Sequence, residues 1–396
     1  MKLYNKAILP QGFKANAIAS GIKGSGKLDL ALFYSDIGAS ASCRFTANTI
    51  QGAPIMINKK HLRANRQFRG ILVNSGNANC FTGEAGLKDA QESAESLASA
   101  LRVDKKSILL ASTGIIGRRL PIAKIKKALP LLIKGLSKQG IDKAKRAIFT
   151  TDTFTKEFTV SFNIGKRSVT VCGIAKGAGM IAPNLATMLA FIFTDANITQ
   201  RAIDKALGLS VGNSFNCITV DGCMSTNDTV AILANGAAGN KTIDINPAPS
   251  YSSRKLSRRR CGVYNNFNLF TRALNRVSLE LAQLIVRDAE GATKFIRIKV
   301  NKAKSFPEAK KVALHIANSS LFKVAMFGEN PNFGRIVSAV GASGLRIKAE
   351  DLKIKVSPLN KKEIDVEVYL NRGDASAIIY TSDLTPEYVK INAEYN

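Results

Sequence analysis

One threonine stands where a hydroxyl can act as a nucleophile. Thr187 follows the small residue Ala186 and a Pro183-Asn184 turn, and it opens the apolar run 188–193. A hydroxyl at the mouth of a buried strand can attack the peptide carbonyl just before it. Cleavage there leaves Thr187 as a new N-terminus whose amine serves as its base. Upstream, Lys176-Gly177-Ala178-Gly179 places a cation in a glycine-rich turn. A cation near such a nucleophile can hold a carboxylate and keep the amine unprotonated. A hydroxyl–glycine pair, Thr113-Gly114, follows a short apolar run and carries the donors an oxyanion hole needs. Each feature also has a structural reading: a Gly/Pro turn feeding a core strand, and a Gly turn before a helix.

Regular elements must position these groups. The pattern predicts strands at 70–74 and 107–111, and an amphipathic helix over 84–102 with Leu87, Ala90, Ala94, Leu97 and Leu101 on one face. A helix over 121–138 follows. Thr150-Thr151-Asp152-Thr153 leads into paired strands, 157–164 and 167–175. Beyond Thr187 the reading is helix 199–207, strands 216–221 and 230–233, and a long helix 267–287. Strand 294–300, helix 307–321 and strands 352–357, 363–370 and 375–380 come next. Thr385-Pro386-Glu387 is a cap, a first-turn proline and an acid, the start of a last helix. Alternating strands and helices, many strands in pairs, predict a layered α/β protein.

The stretch AKGAGMIAPNLATMLAFIFTDA resembles the signature of the ornithine acetyltransferase family, the glutamate N-acetyltransferases of arginine biosynthesis that cut themselves before the threonine of ATML. The resemblance continues through LPQGFKANAIASGIK, NSGNAN, TTDT, STND, the DAEGATK of 288–294 and the FGENPNFGRI of 327–336, covering essentially the whole chain in order. It implies a layered α-β-β-α arrangement of mixed sheets flanked by helices, self-cleaved into an N-terminal piece 1–186 and a C-terminal piece 187–396 that stay associated. It further implies a heterotetramer of two of each piece.

The activity it implies is acetyl transfer from N2-acetyl-L-ornithine to L-glutamate through an acetyl ester on Thr187. Thr113 and Gly114 are the oxyanion donors, and Ala186-Thr187 is the cleavage site. Thr150 or Thr151, Lys176, Thr187, Glu290 and Asn392 contact substrate, with the Glu290 carboxylate suited to a cationic amine. No cofactor is implied; whether acetyl-CoA is also a co-substrate, making the enzyme bifunctional, stays open. An amidohydrolase or aminopeptidase on the same self-cleaving scaffold is the rival reading. The chain departs from the family pattern at Cys223, where an acid is expected, and at Ala289, where a glycine is expected. A further substrate-contacting hydroxyl five residues past Asn392 would fall at position 397, beyond the last residue. The Pro/Ser-rich and then basic segment 248–264 is an additional surface loop on this reading.

Composition narrows the alternatives. The chain has 396 residues, 45% of them hydrophobic, enough to bury a sizeable core. No apolar run is long enough to span a membrane, and a cytoplasmic location is expected. Six scattered cysteines and two histidines offer no metal spacing, and the thiols are expected buried and reduced. His315 is expected half-buried on a helix face. The net charge of +28 raises nucleic-acid binding, but the cations are dispersed and aromatics make up only 7% with no Trp, so stacking platforms are scarce. Gly21-Ile22-Lys23-Gly24-Ser25-Gly26-Lys27 fits a phosphate-loop spacing. Leu28 stands where a hydroxyl is needed, and a strand-like pattern follows where a helix should, so nucleotide binding of that type is rejected.

Overall fold

The computed structural model describes residues 1–182, 188–245 and 258–394, the side chains of 258–264 excepted. The chain divides into two compact units. The first comprises residues 1–176, 185–214 and 225–281, and the second 177–184, 215–224 and 282–396.

In the first unit the order is β1 (Lys2–Tyr4), β2 (Phe13–Ile18), β3 (Leu30–Phe45), α1 (Ala53–Ala64), β4 (Phe68–Asn77), α2 (Gly83–Leu101), β5 (Ile108–Ile115), α3 (Ile122–Lys134) and α4 (Ile141–Ala147). Then come β6 (Lys156–Ile164), β7 (Arg167–Lys176), β8 (Leu189–Thr194), α5 (Gln200–Gly212), β9 (Thr229–Ala234) and the first part of α6 (Arg258–Arg287). Strand β3 joins two sheets. Its first half pairs with β2 and β4, with β5 parallel beyond; its second half pairs with β9, followed by β8, β7, β6 and β1. The register breaks between Tyr34 and Ala39. A Cβ at Gly38 would meet the end of the Gln67 side chain at 2.2 Å, so Gln67 lies directly over this part of the strand.

The bend lays the two sheets face to face. Phe13, Phe33, Ile71, Val73 and Leu109 from one meet Ile174, Leu189, Phe191, Phe193 and Leu233 from the other in one buried cluster. Phe193 contacts Phe13 and Phe33 with ring centroids 5.4 and 5.2 Å apart. Each such ring contributes about 1.5–3 kcal/mol through burial. Helices α1, α2 and α3 cover the outer face of the first sheet through Ile57, Ala90, Leu97, Ile125 and Leu129 against Leu32, Leu72 and Leu110. Helix α6 lies so close to the other sheet that a Cβ on Gly173 would meet Val277 and Leu281 at 2.5 and 2.7 Å. The unit is therefore layered α-β-β-α. Strand β8 is buried at every position because sheet and helix cover opposite faces, which explains its continuous apolar run.

The second unit contains the end of α6, β10 (Phe295–Ala303), α7 (Phe306–Ala317), α8 (Ser320–Phe327), α9 (Phe333–Gly341), β11 (Lys353–Val356), β12 (Glu363–Tyr369), β13 (Ala375–Ser382) and α10 (Pro386–Glu394). Its sheet runs β11-β12-β10-β13, with β10 and β12 parallel. Ile298, Val300, Val312, Ile316, Phe322, Val366 and Ile379 form its core.

Several expectations need correction. Residues 216–221 are not a strand. Phe215–Cys217 is a 3-10 turn, and the N–H groups of Thr219 and Val220 donate to Tyr380 and Ile181 carbonyls instead of a ladder. Helix 307–321 is two helices, because Asn318 caps α7 and the Ser319 hydroxyl accepts the Phe322 N–H to start α8. Of the segment 248–264, residues 258–264 are helical rather than loop, as an arginine run permits; residues 246–257 lie outside the described residues. His315 is exposed, not half-buried, and Cys223 is exposed while Cys43, Cys80, Cys172 and Cys217 are covered to a greater extent. The 21–27 segment leads into β3 rather than a helix. The Asp29 carboxylate accepts the Ser20 and Lys23 N–H groups there, so no phosphate-loop geometry exists.

Candidate active site

Strand β7 ends in Lys176, whose side chain is only 2% exposed. An ammonium ion so buried requires partners. Its Nζ donates to Thr150 Oγ1 at 2.7 Å and lies 3.4 Å from Thr113 Oγ1 and 3.9 Å from Asp152 Oδ2. Three of the expected site residues, from β5, β7 and the 150–153 loop, are thus brought together inside the first unit. Gly114 follows on β5, with φ +131°, and a Cβ there would stand 2.4 Å from the Gly76 backbone. Only glycine lets β4 and β5 approach so closely at this end. Asn227 closes the same corner by donating to the Ala78 and Ser112 carbonyls. Thr113 and Gly114 accordingly lie within β5 rather than in a turn after a shorter strand.

The Asp152 carboxylate holds a second buried cation. Its Oδ1 receives Lys156 Nζ at 2.6 Å, with both side chains fully buried, and its Oδ2 accepts the Thr150 N–H at 3.1 Å. Lys156 also lies over the Phe149 and Phe154 rings. Thr150 is therefore fixed at its backbone by Asp152 and at its hydroxyl by Lys176. Thr151 is half-buried beside it.

Ala186 and Thr187 lie outside the described residues. The residue after Thr187 is described: Met188 donates its N–H to Asp228 Oδ1 at 2.6 Å. Asp228 is buried, and desolvation pushes its carboxyl well above the ordinary range, opposed by the Met188 N–H and the charge of Lys176. Its Oδ2 has no hydrogen-bond partner among the described residues.

In the second unit, Gly179 is pressed against Glu290. A Cβ at Gly179 would lie 2.2 Å from Glu290 Oε2, and the Glu290 N–H donates to the Ala178 carbonyl. Asn392 Nδ2 donates to Glu290 Oε2 at 2.9 Å and to the Tyr388 carbonyl. Asp221 accepts the N–H groups of Met180 and Ile181 at 2.6 and 3.0 Å and the Tyr388 hydroxyl. This fixes the turn that holds Met180 at φ +55°.

Asp228, Asp152, Lys156 and Asp221 escaped the reading of the sequence. The first two stood inside the quoted STND and TTDT stretches; an acid amid otherwise neutral, small residues was the signal available. No group of three metal-ligating side chains occurs among the described residues, and none of the described helices is long and apolar enough to cross a membrane.

Paired sheets carrying a buried lysine held by two threonine hydroxyls set the scene, and the comparisons specify the family. Residues 14–396 match the ArgJ family, and the chain belongs to it. An arginine biosynthesis bifunctional protein of Geobacter sulfurreducens is 40% identical over 97% of this chain and 99% of its own length. A mitochondrial counterpart from Candida albicans is 39% identical over 98% of this chain and 94% of its own. A solved chain of ornithine acetyltransferase from Mycobacterium tuberculosis, complexed with ornithine, is 37% identical. It covers 47% of this chain and 99% of its own, with a TM-score of 0.44.

Proposed function

We propose that this chain cuts itself between Ala186 and Thr187 and then carries acetyl from N2-acetyl-L-ornithine to L-glutamate on the Thr187 hydroxyl. Family membership makes it an acetyltransferase of arginine biosynthesis. The observation that supports this chemistry at this place is the buried Lys176 ammonium on Thr150 and Thr113. Because Lys176 donates to Thr113 Oγ1, that oxygen is engaged as an acceptor, and its own proton is directed elsewhere, toward a developing oxyanion.

The steps are as follows. The freed Thr187 amine takes the hydroxyl proton as oxygen attacks the acetyl carbonyl. Thr113 and Gly114 donate to the oxyanion. The C–N bond breaks, and the departing ornithine amine takes the proton. Glutamate's neutral amine then attacks the ester carbonyl, forming the new C–N bond as the C–O bond to Thr187 breaks, and the amine's proton passes through the Thr187 amine to the leaving threonine oxygen. Both substrates share an amino-acid end, so the same residues serve each in turn. Lys176 is assigned to a carboxylate, and Glu290, steadied by Asn392, to a cationic amine. No resident cofactor is required, since the threonine carries the acetyl group. We place the reaction in the cytoplasm, where an exposed thiol such as Cys223 stays reduced, in an assembly of two 1–186 and two 187–396 chains.

Intact mass under denaturing conditions and steady-state kinetics test this. Fragments 1–186 and 187–396 are expected, uncut in Thr187→Ala. Double-reciprocal plots against glutamate at several N-acetylornithine levels should be parallel, with an acetylated 187–396 fragment trapped when glutamate is omitted. Converging lines without that adduct would mean direct transfer, and acetate released irrespective of glutamate would mean a hydrolase.

A further inference from the structure

Helix α10 carries the Asn392 amide, yet none of its nine residues is buried, and Val389 is 63% exposed. A helix this short has little stability of its own, and it gains little from apolar contact, so hydrogen bonds must set its position. They run to the loop beside Glu290 and to Asp221. The Thr385 hydroxyl, just before the helix, donates to the Gly291 carbonyl at 2.7 Å and accepts the Tyr388 N–H at 3.2 Å. The Tyr388 hydroxyl donates to Asp221 Oδ2 at 3.2 Å. Asn392 Nδ2 reaches Glu290 Oε2 at 2.9 Å and the Tyr388 carbonyl at 3.0 Å. Burial and the Asp221 charge push the Tyr388 hydroxyl above its ordinary range, so it stays a donor.

Asp221 is itself firmly placed. The residue before it, Val220, donates its N–H to the Ile181 carbonyl at 2.8 Å, and its carbonyl accepts the buried Lys323 Nζ at 2.7 Å. From there the Asp221 carboxylate reaches in two directions. One is the 177–184 segment, where it accepts the Met180 and Ile181 N–H groups at 2.6 and 3.0 Å. The other is α10, through Tyr388. These two destinations flank Glu290. On one side Gly179 leaves no room for a Cβ beside the Glu290 carboxylate, and the Ala178 carbonyl accepts the Glu290 N–H at 3.0 Å. On the other, Asn392 donates to that carboxylate. Gly291 lies so close to α10 that a Cβ there would stand 2.5 Å from the Tyr388 nitrogen.

We propose that Asp221 and Tyr388 are positioning residues for the substrate amine: Asp221 fixes the 178–181 turn beneath Glu290 and, through the Tyr388 hydroxyl, the helix that brings Asn392 to it. The inference rests on the proposed assignment of Glu290 to a cationic amine. A carboxylate binds an ammonium well only when its lone pairs are aimed in advance. With Oε2 committed to Asn392, the direction left for a ligand depends on where Asn392 stands, and hence on Tyr388 and Asp221. The side-chain amine is the one free amine of N2-acetyl-L-ornithine, so its binding is the quantity these residues control. Both act through Glu290, without touching the substrate.

The test is a double-mutant cycle, read by calorimetric titration of L-ornithine and by steady-state kinetics with N-acetylornithine. Tyr388→Phe keeps the ring and removes only the hydroxyl, so the fold should stand. It should raise the Kd for L-ornithine and the KM for N-acetylornithine about fivefold, with kcat within about twofold of wild type. Glu290→Gln should raise both about tenfold. The double variant should match Glu290→Gln alone to within about twofold, because Tyr388 acts through that carboxylate. Asp221→Asn weakens the hold on both turn and helix and should shift both constants further in the same direction; Tyr388→Phe decides the matter if that variant does not fold. A Kd unchanged in Tyr388→Phe while Glu290→Gln is weakened would overturn the inference and leave the amine assignment standing. Losses that multiply in the double variant would overturn it too, since the hydroxyl would then support the fold independently of Glu290. Wild-type affinity for L-ornithine in Glu290→Gln, or no affinity in wild type, would instead remove the amine assignment, and this inference with it.

Discussion

Asp228 holds the start of β8: its Oδ1 accepts the Met188 N–H at 2.6 Å. On the proposed reading Met188 is the residue next to the nucleophile, so Asp228 anchors the chain beside the proposed cleavage site. Asp228→Ala leaves a buried donor unsatisfied, costing about 1–3 kcal/mol, and should slow maturation on a denaturing gel. Asp228→Asn keeps an acceptor and should mature. The pH dependence has a definite sign. The folded carboxyl titrates above its unfolded value because of burial, so its contribution is fully present below the unfolded pKa and is lost as pH rises through the folded one. Melting temperatures of Asp228→Asn and wild type should therefore diverge in the variant's favour as pH rises above the ordinary carboxylate range.

Thr113 offers a test of the oxyanion assignment. Its oxygen faces Lys176 Nζ at 3.4 Å, while its proton is assigned to the transition state. Thr113→Ala should lower turnover by about 10²–10³ with KM nearly unchanged, and Thr113→Ser should recover most of the rate. A KM effect alone would place Thr113 in ground-state binding.

Gly179 is glycine because Glu290 occupies the space of its side chain, Oε2 lying 2.2 Å from an added Cβ. Gly179→Ala should push that carboxylate off Asn392 and raise the KM for N-acetylornithine by about tenfold, or ~1.4 kcal/mol of binding. Glu290→Gln should show the same direction. An unchanged KM in both would remove Glu290 from amine recognition.

Lys323 on α8 supplies a second pH signature. It is buried, and its Nζ donates to the Val220 carbonyl at 2.7 Å and lies within reach of the Thr381 and Ser382 hydroxyls. Burial lowers its pKa to about 8 from 10.5, against the pull of Asp221 and Asp383. Between those values the unfolded chain binds the proton and the folded one does not, so this group makes stability rise with pH across that window by about 3 kcal/mol. Denaturant titrations of Lys323→Met at about pH 7.5 and pH 10 should show that gain abolished; a gain equal to wild type would assign it elsewhere.

Local pattern was enough for much of the scaffold. The alternation that predicts 157–164 and 167–175 matches β6 and β7, and the face Leu87-Ala90-Ala94-Leu97-Leu101 is the buried face of α2. Each depends on side-chain periodicity within a few residues. The apolar run after Thr187 is likewise β8, although its continuous burial has its cause in the layers on either side. The family, with its acetyl-transfer chemistry, was legible in the stretch 175–196 and its companion motifs.

What tertiary structure decided is non-local. No spacing rule places Asp228 on Met188 or Asp152 at the Lys176 corner, because those residues are brought together by the pairing of β8 with β9 and of β6 with β7. The bend of β3 into two sheets falls at the register break between Tyr34 and Ala39. Residues 216–221 read as a strand by composition, yet their N–H groups found the Ile181 and Tyr380 carbonyls first. Residue types and local periodicity state which elements form and which groups can react. Buried charge, by contrast, is tolerable only where folding supplies its partners, and those partners come from all over the chain.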